Sequence, residues 1–169
     1  MDFAKPSNEE EWANRAKNFF DNCQWDLAKK AYEKAGRQQA ASVADSYLKR
    51  EWARRVPSEG RGKERGMAFK RAARAFKSCA QNAGDESTKT KYLKLSAGCW
   101  EEGNLIADAA EAYREGNFLS DAARLYRKLQ NFQEIYNIIT KSDKDLAATV
   151  PEAIRDATCL YLISKKFYA

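Results

Sequence analysis

Gly103-Asn-Leu-Ile-Ala-Asp-Ala-Ala-Glu-Ala-Tyr-Arg-Glu115 runs directly into Gly116-Asn-Phe-Leu-Ser-Asp-Ala-Ala-Arg-Leu-Tyr-Arg-Lys128. The two stretches share one phrase thirteen residues apart: Gly-Asn, then Asp-Ala-Ala, then Tyr. A weaker third copy follows, Asn131-Phe132 leading to Ile135, Ile138 and Ile139. Such a unit holds roughly ten helical residues and a turn, so two units make one helical hairpin. A hairpin that short cannot bury its apolar face alone and must stack on the next. The repeat therefore predicts an all-α chain, a right-handed solenoid of stacked antiparallel helical hairpins with about nine helices.

A shorter pattern extends this reading outward. An Ala, an aromatic four residues on, and a small or apolar residue three further recur as Ala16/Phe20/Cys23, Ala28/Tyr32/Ala35, Ala72/Phe76/Cys79, Ala109/Tyr113/Gly116 and Ala122/Tyr126/Leu129. Spacings of four and three predict one helical face for all members. The Ala lets a neighbouring helix come close and the aromatic fills the space beside it. Composition agrees: the 169 residues include 28 Ala but only 3 Val and 6 Ile, which favours helix over strand.

Helix signals then place the elements. Ser7 with Glu10 predicts a capping box for a first helix reaching Asn22. Further helices are expected at about 24–35, 37–55, 64–83, 85–102, 105–115, 118–130, 132–140 and 151–165. Gly36 and Gly84 serve as stops, Asp85 as an N-cap and Pro151 opens the last first turn. Ser142 with Asp145 suggests a short capped segment. The third helix is expected to face inward with Ala40, Ala41, Ala44, Tyr47, Leu48 and Trp52. Pro57, Gly60 and Gly62 mark 56–63 as a flexible basic loop. The end of the chain, Leu160 to Ala169, reads as the first half of another unit, with a turn near Lys166-Phe167-Tyr168. A single helical-repeat domain, 1–169, taken from a larger protein is the expectation.

The phrases Asn18-Phe-Phe-Asp21, Trp25-Asp-Leu-Ala-Lys-Lys-Ala-Tyr-Glu-Lys-Ala-Gly36, Ala44 to Arg50 and Gly116 to Tyr126 resemble tetratricopeptide-type helical repeats. More narrowly, they resemble the helical region of large fungal UvrD-like helicase proteins and of the tetratricopeptide-and-ankyrin-repeat protein. The resemblance implies an interaction module within a multidomain, helicase-associated protein whose ATPase motor lies outside this chain. The chain departs from the tetratricopeptide unit: its period is not a regular run of about 34 residues, and the Pro ending each repeat is missing. The peptide groove of that family is therefore not carried over.

Chemistry is limited by what is missing. The chain has no His, so neither a Ser-His-Asp nor a Cys-His system can be assembled. Cys23, Cys79, Cys99 and Cys159 never form C-x-x-C, which argues against a tetrahedral zinc site. They read as reduced, mostly buried thiols of an intracellular protein, cytoplasmic or nuclear. No apolar run spans a membrane and no leader marks secretion. The carboxylate clusters Glu9 to Glu11, Asp85-Glu86 and Glu101-Glu102 read as polar helix ends without the apolar pocket that raises a catalytic acid's pKa. Gly60-Arg-Gly62 and Gly66 do not make a phosphate-binding loop. No catalytic residue, metal ligand or cofactor is expected.

The net charge is +6, and it is concentrated. Lys49, Arg50, Arg54, Arg55, Arg61, Lys63, Arg65, Lys70, Arg71, Arg74 and Lys77 face only Glu51, Glu59 and Glu64. Lys70, Arg74 and Lys77, with Arg71 beside them, should line one helix face opposite Phe69, Ala72, Ala73, Phe76 and Ala80. Of these, Arg54, Arg55, Arg61, Lys63, Lys70, Arg71, Arg74 and Lys77 are the candidate binding residues, for a protein partner or for a nucleic-acid strand followed along its phosphates. Trp12, Trp25 and Trp100 read as core, while Trp52 lies among the cations. The expected function is a monomeric, non-catalytic scaffold for protein binding. An accessory nucleic-acid module using 49–77 is the alternative.

Overall fold

The structure, a computed structural model, describes residues 8–141 and 148–167. Among the described residues there are nine α-helices and no strand: α1 (Glu9–Asp21), α2 (Trp25–Lys34), α3 (Gln38–Arg55), α4 (Gly62–Gln81), α5 (Glu86–Glu102), α6 (Ile106–Glu115), α7 (Leu119–Lys128), α8 (Phe132–Lys141) and α9 (Glu152–Phe167). Each packs on its sequence neighbours, in the order of the chain.

The start of α1 differs from the capping box. Its N-cap is Asn8, whose Oδ1 accepts the Glu11 N–H at 2.9 Å, one residue later than expected. Ser7, Ser142 and Asp145 lie outside the described residues. Asp85 caps α5 as expected by accepting from the Thr88 N–H at 2.8 Å. The 56–63 loop is shorter than expected, because α4 already begins at Gly62. At the far end α9 continues through Lys166 and Phe167, where a turn was expected, and Tyr168 lies outside the described residues.

Five turns share one geometry. Cys23, Gly36, Asn104, Asn117 and Gln130 all have φ between 56° and 65°. In each, the N–H of the following residue reaches back five residues to a carbonyl: Gln24 to Phe19, Arg37 to Tyr32, Leu105 to Trp100, Phe118 to Tyr113 and Asn131 to Tyr126, at 2.8 to 3.0 Å. This left-handed cap satisfies carbonyls that a helix end leaves orphaned. The acceptor residue is aromatic every time. The Gly-Asn phrase now has a physical reason. A Cβ on Gly103 would lie 2.8 Å from Phe69 Cβ, and Asn104 tolerates the left-handed backbone better than most residues.

The five repeated Ala residues, at 16, 28, 72, 109 and 122, are all fully buried. Phe76, Tyr113 and Tyr126 are buried beside them. The third member of the pattern does not always share that face: Cys23 and Leu129 are exposed, whereas Ala35 and Cys79 are buried. The rings form a continuous seam: Phe20 packs on Tyr47 at 5.5 Å, Tyr47 on Phe76 at 5.1 Å, and Trp25 stacks on Tyr47 at 4.6 Å. Edge-to-face contacts of this kind add to plain burial. Trp100 joins the Phe69–Phe76 cluster to the Tyr113–Ile154 cluster.

On α3 the expected inward set needs one correction. Ala41 and Ala44 are buried, but so are Ser46 and Ala53, while Trp52 is 59% exposed. The helix lies between α2 and α4, so it buries two faces instead of one stripe. The thiols divide as well: Cys79 and Cys99 are buried, and Cys23 and Cys159 are exposed, all four free.

Ion pairs reach from helices to the next but one. Arg50 and Arg54 of α3 both meet Glu102 of α5. Lys77 of α4 meets Glu115 of α6 at 2.6 Å. Arg124 of α7 meets Glu101 of α5, and Arg114 of α6 approaches Glu134 of α8 at 3.8 Å. No helix of the described residues is long and apolar enough to cross a membrane.

Candidate interaction surface

Most of the eleven basic residues of 49–77 already have partners within the chain. Lys49 pairs with Asp45, Arg55 with Glu51 and Arg61 with Glu64. Arg50, Arg54 and Lys77 belong to the ion pairs between helices. Arg65 donates to the Val56 carbonyl at 2.8 Å and to the Arg54 carbonyl at 3.3 Å, and its guanidinium lies 5.0 Å over the Phe69 ring. These contacts close the end of α3. Lys70 Nζ sits 5.8 Å over the Trp100 ring. Lys63, Arg71 and Arg74 are exposed and have no ion-pair partner among the described residues. The outward face of α4 is therefore as expected in its residues, but thinner in available charge. Met67, 60% exposed, lies in the same stripe.

Of the carboxylates first read as polar helix ends, Glu101 and Glu102 are structural anchors. Burial alone would raise the Glu102 carboxyl, but hydrogen bonds and charge from Arg54 and Arg50 outweigh it and hold it below the ordinary range. Arg124 does the same for Glu101, aided by the Tyr113 hydroxyl. Burial, reinforced by Glu101, pushes Tyr113 up to about 12. Burial likewise pushes the Cys99 thiol up to about 12, so it stays protonated and unreactive near neutral pH. None of these groups is poised to exchange a proton there.

A concave feature of the described residues carries no sequence motif. A groove of ≈ 520 Å³ lies across α2, α3, α4 and the start of α5. Ala40, Ala41, Ala75, Ala83 and Gly84 leave it unfilled, since each is too small to reach across. Lys29 and Glu33 stand on the α2 side, and Ser78, Cys79 and Asn82 on the α4 side. Along α3 run Gln38, Ser42, Asp45 and Lys49, spaced by four, three and four residues, which is one helical row. Asp45 takes Lys29 at 2.9 Å and also Lys49. Burial works to raise its carboxyl, but the two ammonium groups prevail and keep it low and charged. Gln39 spans the far end by donating to the Asn82 carbonyl at 3.4 Å. Thr88 and Tyr92 of α5 complete the lining.

Most of these side chains look like ordinary surface residues in the sequence, and only the antiparallel register brings them together. The i, i+4 row of polar residues on α3 was the available signal. Comparison of the chain with family models, with curated proteins and with solved structures finds no match to any of them.

Proposed function

We propose that the chain is a non-catalytic interaction scaffold that binds another polypeptide. On this reading the stack is a right-handed, tetratricopeptide-like solenoid, a monomeric module of a larger intracellular and helicase-associated protein. The observation that carries the proposal is the open groove across consecutive helices, within the size range of ligand sites. The aromatic seam and the ion pairs between alternate helices support it, because a surface held rigid before binding loses less entropy on association. The five equivalent turns support the repeat architecture.

A second reading follows from Lys63, Arg71 and Arg74 on α4, which could track phosphates. The two readings differ in salt dependence. The immobilised chain is exposed to a cell extract treated with nuclease, then to labelled single- and double-stranded oligonucleotides at about 50 and 300 mM salt, a range over which phosphate-driven binding collapses. Polypeptides retained at the higher salt are the expected result. Retention of oligonucleotides alone, lost at the higher salt, would replace the scaffold reading with the nucleic-acid one.

A further inference from the structure

Leu160 is 68% exposed and Ile163 53%, so α9 alone among the described helices shows two bare large apolar side chains. The inward side of α9 is occupied. Ile154 and Thr158 are buried, and Tyr161 stacks on Phe132 of α8 at 4.4 Å. These three follow i, i+4, i+7 spacing, which is one helical row. Lys165 continues that row and lies 5.3 Å over the Tyr161 ring. The opposite row holds Asp156, Cys159, Ile163 and Lys166, all exposed, with Leu160 beside them. Neither Asp156 nor Lys166 has an ion-pair partner among the described residues. In α1, at the other end of the stack, the large rings are covered: Lys34 lies 4.4 Å over Trp12 and Arg15 lies 5.9 Å over Phe19. Leu160 and Ile163 keep no such cover.

The outward row is symmetric in position and opposite in charge about position 161. Asp156 and Lys166 lie five residues to either side of it, and Cys159 and Ile163 two residues to either side. We propose that this face pairs with a second copy of the chain, α9 against α9 in antiparallel register. Two copies that cross at position 161 bring every member of the row level with its complement. Asp156 of each copy meets Lys166 of the other, and Ile163 of each packs on Cys159 of the other. Leu160 closes the flank. A parallel pair would instead set Asp156 level with Asp156 and Lys166 with Lys166, so charge selects the antiparallel one. The contact balances its own charges, which suits an approach between two chains that each carry +6. One helix from each copy makes a small interface, so the pairing is weak, with a Kd of about 10–100 µM. This pairing goes beyond the scaffold reading and does not rest on it: the dilute module is a monomer, and crowding two copies together joins them.

Sedimentation velocity of the whole chain tests it, over about 5 to 500 µM, a range that brackets the expected Kd. A reducing buffer keeps the exposed thiols of Cys23 and Cys159 from linking copies. The wild type is expected to pass reversibly from monomer to dimer across that range. Asp156→Lys and Lys166→Asp each set like charges level and should weaken pairing about tenfold or more. Mixed in equal amounts, the two variants complement each other at both ion pairs, so the mixture should pair where neither does alone. Ile163→Glu should also weaken pairing about tenfold or more, because it puts a charge at the apolar centre. All three substitutions fall at exposed positions, and circular dichroism checks that helix content is kept. A wild type that stays monomeric to the top of the range overturns the proposal. So does a dimer indifferent to the charge reversals, which would place the contact elsewhere. A mixture that pairs no better than its components overturns the antiparallel register and the proposal with it. None of these outcomes touches the scaffold reading, which stands or falls on the capture of other polypeptides.

Discussion

Arg124 of α7 lays both arms of its guanidinium on the carboxylate of Glu101 in α5, with N–O distances of 2.8 and 2.9 Å. The pair skips over α6, so it measures how alternate helices are held rather than how neighbours pack. A two-pronged Arg–carboxylate pair is among the stronger geometries available to a partly exposed ion pair. A double-mutant cycle with Arg124→Ala and Glu101→Gln is expected to return a coupling of about 0.5–1 kcal/mol. Added salt should shrink it. Thermal unfolding of the four proteins measures it, and a coupling of zero would leave the pair as a surface decoration.

Acid should loosen the stack at its carboxylates. In the folded chain Glu101, Glu102 and Asp45 are held below the ordinary carboxylate range. A depressed folded pKa contributes stability that is present above the unfolded value, about 4. That stability is lost as pH falls through the folded value. The urea midpoint is therefore expected to stay level on this account between pH 8 and 6 and to fall below about pH 4.5. In Glu102→Gln the fall should be shallower. A wild-type midpoint that rises on acidification would contradict the assignment.

Two turn substitutions should move stability in opposite directions. Gly36 has φ +65° with open space around its missing Cβ, so Gly36→Ala meets only backbone strain and should cost about 1 kcal/mol. Gln130 has φ 56° and carries that strain already. Gln130→Gly is expected to gain about 0.5 kcal/mol, the relief of strain less the entropy of glycine. Chemical denaturation of the two variants provides the comparison.

Packing is tight where Ala and aromatic meet. Phe76→Ala removes a fully buried ring and should cost about 3–5 kcal/mol. Ala72→Leu forces bulk into a site with no exposed surface and should cost about 1–3 kcal/mol. Trp52→Ala takes away a large side chain that is mostly in solvent and should change stability by less than about 0.5 kcal/mol. If Trp52→Ala proved as costly as Phe76→Ala, its placement on the surface would be wrong.

Much of the architecture was legible in local signals. Helix ends at Asp85, Gly36 and Pro151 depend on neighbouring residues, and the Ala109/Tyr113 and Ala122/Tyr126 pairs announce a buried face by spacing alone. The cap of α1 was misplaced by one residue because Ser7 and Asn8 are both good caps and only packing chooses between them. The pairing of the basic segment was not legible, for a different reason. The carboxylates that neutralise Arg50, Arg54 and Lys77 sit at Glu102 and Glu115, 38 to 52 residues away in sequence. No local count could include them. Beyond the polar row on α3 the groove left little trace in the sequence, because it is made by small side chains, and alanine in a helix advertises propensity, not a hollow.

The turns at Asn104, Asn117 and Gln130 recur every thirteen residues, and this spacing limits how the chain can change in length. One residue inserted into a ten-residue helix rotates everything after it by about 100° and swings the buried Ala and Tyr towards solvent. Removal of one whole unit keeps the faces aligned but reverses the direction of every later helix. Removal or addition of two units restores both face and direction. Natural length variants of this chain should therefore differ by pairs of units, with cuts falling at the left-handed turns.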